Sequence, residues 1–156
     1  MIRYDWNAVD IAVRLGIYVQ IQRELAMNEE ELVTIVGIQR GGLIPAVMLS
    51  HLFNVEMKPL RWQTRDQARY TDPDSLCRIL YGCKPGQAIL IVDDIADSGK
   101  TFNDINRFVG FCDAINPGSI YYAALIKRST HQLDMPILSH RFLDSDEWVH
   151  FPWESD

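Results

Sequence analysis

The chain has 156 residues, of which 47% are hydrophobic and 23% charged, the make-up of one globular domain with a sizeable core. That balance excludes disordered, collagen-like and disulfide-scaffold classes. A net charge of −6 argues against a general nucleic-acid binder, which needs a basic face. Cys77, Cys83 and Cys112 are odd in number and form no Cys-x-x-Cys pair, so the expectation is reduced thiols and no zinc site. With no apolar run of roughly eighteen residues and no signal-peptide pattern at Met1–Trp6, the expectation is a soluble, cytoplasmic protein without a membrane partner.

In chain order, Val9, Val13, Ile17, Ile21 and Leu25 recur every fourth residue and predict a helix from Trp6 to Leu25. After the acidic connection at Asn28–Glu31, the β-branched run Leu32–Ile38 reads as a buried strand. Gln39-Arg40-Gly41-Gly42 breaks it, and Leu43–Phe53 follows as a helix with Pro45 in its first turn. Val55–Leu60 reads as an edge strand because Pro59 cannot donate to a central ladder. Arg61–Gly86 shows little periodicity and reads as a long functional loop. Ala88–Val92 is the clearest buried strand, Asp93–Thr101 a turn, and Phe102–Cys112 a helix. Ile120–Ile126 is a further buried strand, followed by a short run at Ser139–Leu143 and an aromatic tail at Trp148–Trp153.

Strands alternating with helices predict an α/β fold whose mainly parallel sheet is covered on both faces. Ligands of such sheets sit beyond the carboxyl ends of the strands. The conspicuous polar residues follow Ile38, Val92 and Ile126, at three such ends.

The chemistry concentrates in Ile89–Thr101, ILIVDDIADSGKT. Buried aliphatics deliver two adjacent carboxylates, Asp93 and Asp94, to a strand end. Asp97 sits in the turn, and Ser98-Gly99-Lys100-Thr101 leads into a helix. A nucleoside-triphosphate P-loop needs GxxxxGK[ST], and Asp94 occupies its first glycine position. The logic of an anion site remains: small residues open backbone N–H groups at a helix start, and Ser98 and Thr101 add hydroxyls. A phosphate beside paired carboxylates is self-defeating unless the ligand also carries hydroxyls or a metal. A sugar phosphate meets that condition.

This segment resembles the phosphoribosyl-pyrophosphate (PRPP) signature of the type I phosphoribosyltransferases. The resemblance implies a type I phosphoribosyltransferase-like fold with a small C-terminal hood, in a single domain over 1–156. It also implies that Asp93 and Asp94 bind ribose hydroxyls, that Ala96, Asp97, Ser98, Gly99, Lys100 and Thr101 wrap the 5′-phosphate, and that Mg²⁺ is the cofactor, with Asp94 as its ligand. The Asp-Asp-Ile-x-Asp-[ST]-Gly form is similar to the 6-oxopurine (xanthine-guanine) members, in which the third aspartate, here Asp97, faces purine N7 as general base.

Gly37–Pro45, with Arg40 and Gly41, resembles the family's pyrophosphate loop, where a non-proline cis peptide would fall near Gln39-Arg40. The family's mobile lid would occupy about 61–86, with Arg65 and Arg69 the candidates to reach pyrophosphate among Arg61, Arg65, Arg69 and Arg78. Tyr122–Arg128 resembles the strand that ends in a lysine donating to purine O6, here Lys127. Trp148–Glu154 resembles the Trp-x-x-x-Pro-Trp tail, so Trp148 would stack on the base and Val149 would contact it, within a hood spanning about 128–156. The implied activity is phosphoribosyl transfer from PRPP to guanine, xanthine or hypoxanthine in purine salvage, by a homodimer or homotetramer. The alternatives are a regulatory nucleotide-binding protein and a phosphoribosyltransferase for another base.

Overall fold

The computed structural model describes residues 1–63, 71–112, 120–128 and 133–155. Its main sheet contains β2 (Glu31–Ile38), β3 (Glu56–Leu60), β4 (Gln87–Ala96), β5 (Ile120–Arg128) and β6 (Leu138–Leu143), ordered β3-β2-β4-β5-β6. All four pairings are parallel, so every strand delivers its carboxyl end to the same edge. Two-residue strands β1 (Ile2–Arg3) and β7 (Val149–His150) form a second, separate parallel pair.

Both faces of the sheet are buried. Ala88, Leu90 and Val92 of β4 pack with Val13, Ile17 and Leu49, while Ile89 and Ile91 pack with Leu76, Leu80, Phe102 and Ile105. The alternation is the strand period of two, and each fully buried aliphatic contributes about 1.5–3 kcal/mol relative to exposure. The sheet's edges carry residues that discourage further pairing: Lys58-Pro59 on β3 and His140-Arg141 on β6.

The first helical block runs as α1 (Trp6–Ile11), a π segment (Ala12–Tyr18) and α2 (Val19–Asn28). Asp5 caps it by accepting from Ala8 N–H at 2.7 Å. Gly16 lies where this block crosses β6, and a β-carbon there would stand 2.7 Å from that of His140. α3 (Leu43–Phe53) follows β2 as the sequence predicts.

Several boundaries differ from the sequence reading. β4 continues through Asp93 and Asp94 to Ala96, because Asp93 pairs with Ala124 and Ala96 with Lys127; the turn is therefore shorter than 93–101. The 61–86 segment is not one loop: α4 (Pro73–Tyr81) occupies it, capped by Asp72, with Pro73 in its first turn and Leu76, Ile79 and Leu80 buried. The segment 128–156 is not one hood either, since Leu138–Leu143 joins the main sheet as its β6 edge. The cap over the site comes from the residues after β6 together with the N-terminal strand β1. The last helix, α5 (Lys100–Phe111), starts two residues earlier than the apolar spacing suggests. All three cysteines are thiols, and the Sγ atoms of Cys77 and Cys112 lie 3.6 Å apart.

Candidate active site

At the carboxyl edge of β2, β4 and β5 lies a cleft of about 690 Å³, a size suited to a small-molecule ligand. Three loops build it. The first follows β2, where the Gln39-Arg40 peptide is cis and Gln39 N–H donates to Leu60 O at 2.9 Å. A β-carbon on Gly42 would stand 2.4 Å from Val92 O, so glycine lets this loop lie directly against β4. Arg40 and Gly41 line the cleft. Arg61, at the end of β3, donates from Nε to Gln39 Oε1 at 3.2 Å and brings a further cation beside this loop.

The second loop is the end of β4 and the turn into α5. Asp93 Oδ1 accepts from Asp94 N–H at 2.9 Å, and Asp94 Oδ1 accepts from Ile95 N–H at 2.8 Å. Burial raises the Asp94 carboxyl above the usual carboxylate value of 3.8, and the nearby Glu154 charge adds to the rise against the lowering hydrogen bonds. Gly99 has φ 72°, the left-handed conformation that frees the turn to enter α5, and Ser98 Oγ accepts from Lys100 N–H at 3.3 Å. The start of α5 thus presents backbone N–H groups and its positive dipole end to the cleft, which suits an anion.

The third wall is the terminal cap. Trp148 is 64% exposed and lines the cleft together with Val149, Phe151 and Glu154. Ile2 N–H donates to Trp148 O at 2.8 Å and Tyr4 N–H to His150 O at 2.9 Å, so the N-terminus holds the tryptophan segment in place. Glu154 Oε2 in turn accepts from Phe151 N–H at 2.8 Å.

Most residues expected from the sequence therefore line one cleft: Arg40, Gly41, Asp93, Asp94, Ala96 through Thr101, Trp148 and Val149. Arg65 and Arg69 lie outside the described residues. Lys127 pairs in register with Ala96 and Phe142, and it is not among the described residues lining the cleft. Successive strand residues point to opposite faces, and it is Arg128, the next residue, that enters the cleft. Residues absent from the sequence reading also contribute, Trp62 and Arg128 among them. Trp62 is buried at the cleft wall and donates from Nε1 to Asp104 Oδ2 at 3.0 Å, and Arg128 pairs with Asp97 at 2.5 Å. The signal for Arg128 was weak, a second basic residue after Lys127 with no periodicity to mark it as buried. Among the described residues no group of three His, Cys, Asp or Glu side chains is arranged to hold a metal by itself, and no helix is long and apolar enough to cross a membrane.

Comparison with known proteins agrees with this geometry. A family model described as a phosphoribosyl transferase domain matches residues 15–155. A xanthine-guanine phosphoribosyltransferase of Idiomarina loihiensis is 25% identical over 136 residues, covering 85% of this chain and 79% of that protein. Among solved structures, a purine phosphoribosyltransferase from Pyrococcus horikoshii aligns with TM-score 0.68 and 26% identity, over 99% of this chain and 94% of that one. A Neisseria gonorrhoeae protein with bound ppGpp aligns with TM-score 0.72 over 99% of this chain and 89% of that one; at 17% identity that likeness shows the fold alone.

Proposed function

Given that the chain belongs to the phosphoribosyl transferase family, a family of glycosyltransferase-type enzymes, we propose that it transfers 5-phosphoribose from PRPP to a 6-oxopurine, releasing pyrophosphate. The observation that carries this reading is one cleft lined by paired carboxylates, a helix start suited to an anion and an exposed tryptophan. The names of the Idiomarina and Pyrococcus relatives support a purine as acceptor.

In this reading Asp93 and Asp94 accept hydrogen bonds from the ribose hydroxyls while the Ser98–Thr101 turn holds the 5′-phosphate. Arg40 and the amides after it face the pyrophosphate. Trp148 stacks on the purine, beside Val149. Purine N9 bonds to ribose C1 as the C1–oxygen bond to pyrophosphate breaks, the electron pair leaving with pyrophosphate. The C1 centre is oxocarbenium-like on the way, and the neighbouring carboxylates favour that positive charge. Asp97 takes the N7 proton as N9 bonds to C1, so the imidazole ring does not build up positive charge. Lys127 is the proposed O6 donor.

Magnesium fits the donor set. Mg²⁺ keeps several waters and takes one or two carboxylates plus substrate phosphates, which is what Asp93 and Asp94 beside a phosphate site provide. Carboxylates also outnumber cations around the cleft, with Asp146 and Glu154 adding to the three strand and turn aspartates. When bound, the ion supplies charge neutralisation on the departing pyrophosphate. A homo-oligomer and a cytoplasmic setting belong to the same reading. Ile11, Leu15 and Val19, exposed at helical spacing, support the first, and three cysteine thiols support the second.

The test is incubation with PRPP, Mg²⁺ and, separately, guanine, xanthine, hypoxanthine, adenine and uracil, with nucleotide and pyrophosphate both measured. Stoichiometric formation of a 6-oxopurine nucleotide and pyrophosphate is the expected result. The rival reading, nucleotide binding without transfer, is selected by tight nucleotide binding with no turnover on any base.

A further inference from the structure

We infer that Arg128 is a positioning residue that sets the geometry of the base pocket, tying the Asp97 carboxylate and the backbone ahead of Trp148 to a single guanidinium. The kinetic part of this inference rests on the proposed transfer reaction.

Arg128 is the last residue of β5 and only 8% exposed. A charge that buried is costly unless its hydrogen bonds are met. Here all three guanidinium nitrogens are engaged, on partners far apart in the chain. Nε donates to Asp97 Oδ1 at 2.5 Å, Nη1 donates to Ser145 O, and Nη2 donates to Glu147 O at 2.7 Å. Because the guanidinium is planar, these three directions are fixed relative to one another. A lysine ammonium has donors on one atom and cannot span the same set.

The two structures so joined are the ones a purine would touch. Asp97 belongs to the phosphate turn, and Glu147 immediately precedes Trp148, whose ring stands at the cleft. On the far side Trp148 O is held by Ile2 N–H, and Glu147 Oε1 also meets the Met1 ammonium at 3.0 Å. The tryptophan is therefore exposed yet fastened on both sides. The separation between the carboxylate for N7 and the ring that covers the base is set by one side chain. Loss of that side chain should loosen base binding while leaving the PRPP half of the cleft, on Arg40, Asp93, Asp94 and Ser98–Thr101, in place.

The experiment uses the full chain as wild type, Arg128→Lys and Arg128→Gln, the last serving should the lysine variant fail to fold. Hydrogen exchange by mass spectrometry is run without ligand, PRPP·Mg²⁺ affinity is measured by calorimetry, and KM for the base by steady-state kinetics. Expected are faster exchange in peptides spanning 144–150, PRPP affinity within about twofold of wild type, and a base KM raised about tenfold or more. Millimolar guanidinium ion added to Arg128→Gln should lower the base KM again, which an unspecific loss of folding would not allow. Unchanged protection of 144–150 in a folded variant overturns the inference, and so does a parallel loss of PRPP and base affinity. If wild type transfers phosphoribose to no base, the transfer reading fails by itself and the exchange result still decides the positioning role.

Discussion

A β-carbon placed on Gly41 would stand 1.8 Å from Oδ2 of Asp94, so the loop after β2 and the carboxylate at the end of β4 occupy adjoining space with no atom to spare. The loop proposed to hold pyrophosphate and the carboxylates proposed to hold ribose are thus one packed unit. Gly41→Ala is expected to displace the Asp94 carboxylate while leaving the sheet intact. Losing a hydrogen bond to a charged group costs about 1.5–3 kcal/mol, so PRPP affinity should fall by roughly tenfold to a hundredfold. Calorimetric titration with PRPP and Mg²⁺, alongside far-ultraviolet circular dichroism, checks both halves; wild-type affinity in a folded variant would count against the close packing.

Asp94 also links function to stability. Burial, aided by the Glu154 charge, raises its carboxyl above 3.8 in the folded chain. The native state then binds the proton more tightly than the unfolded state, so this group's contribution to stability falls as pH rises from about 3.8 through the folded pKa. Asp94→Asn keeps an acceptor for Ile95 N–H and carries no charge. The ligand-free variant should melt above wild type at pH 7, with the gap closing as pH falls below that window. About 1 kcal/mol corresponds to roughly 2–4 °C in a chain this size. The same variant should bind PRPP more weakly. Scanning calorimetry at several pH values tests the sign, and a wild type more stable than Asp94→Asn at pH 7 would refute it.

The unbroken apolar runs Ala88–Val92 and Leu32–Ile38 and the polar residues at strand ends were enough to place the sheet and the cleft. Strands buried on both faces leave an unbroken apolar run, and carboxylates following such a run stand out. Helix α4 was legible in principle, since Asp72-Pro73 is a helix start and Leu76, Ile79 and Leu80 share a face, but neighbouring arginines gave its segment the look of a loop. The fate of Ser139–Leu143 was not legible. Its Leu-Ser-His-Arg-Phe-Leu pattern is that of a half-exposed edge, and only pairing with β5 makes it part of the sheet rather than of the cap. Arg128 escaped notice because its burial depends on carbonyls from a distant segment, which no local pattern announces.

Asp97 is held by Arg128 yet remains 43% exposed at its side chain, so a purine can approach it. Asp97→Asn keeps the shape and an oxygen for Arg128 but cannot take a proton. The expected outcome is kcat lower by about 10²-fold or more with PRPP affinity little changed, the usual size of general-base loss. Rapid-quench measurement of the first turnover separates this from slow product release. Unaltered first-turnover rates with purines that must lose the N7 proton would remove Asp97 from its proposed role.

Base choice separates the 6-oxopurine reading from its nearest enzymatic rival. Lys127 carries only donors, so its proposed partner O6 must be an acceptor, and adenine offers an amino group there instead. Two donors would face each other without an acceptor between them, and sites built on such hydrogen bonds reject a mismatched analogue by about 10⁴-fold. Lys127→Ala should therefore lose rate and most of the discrimination against adenine. Trp148→Ala removes a stacking surface that every purine shares, and aromatic stacking on a base is worth about 1–3 kcal/mol, so it should weaken all purines together. The position of Lys127 outside the cleft lining makes the first variant the more demanding test. The measurement is kcat/KM for guanine, xanthine, hypoxanthine and adenine in wild type and both variants. Full discrimination retained in Lys127→Ala would move recognition of O6 to another donor at the end of β5, whereas adenine as the preferred wild-type substrate would exclude the 6-oxopurine assignment altogether.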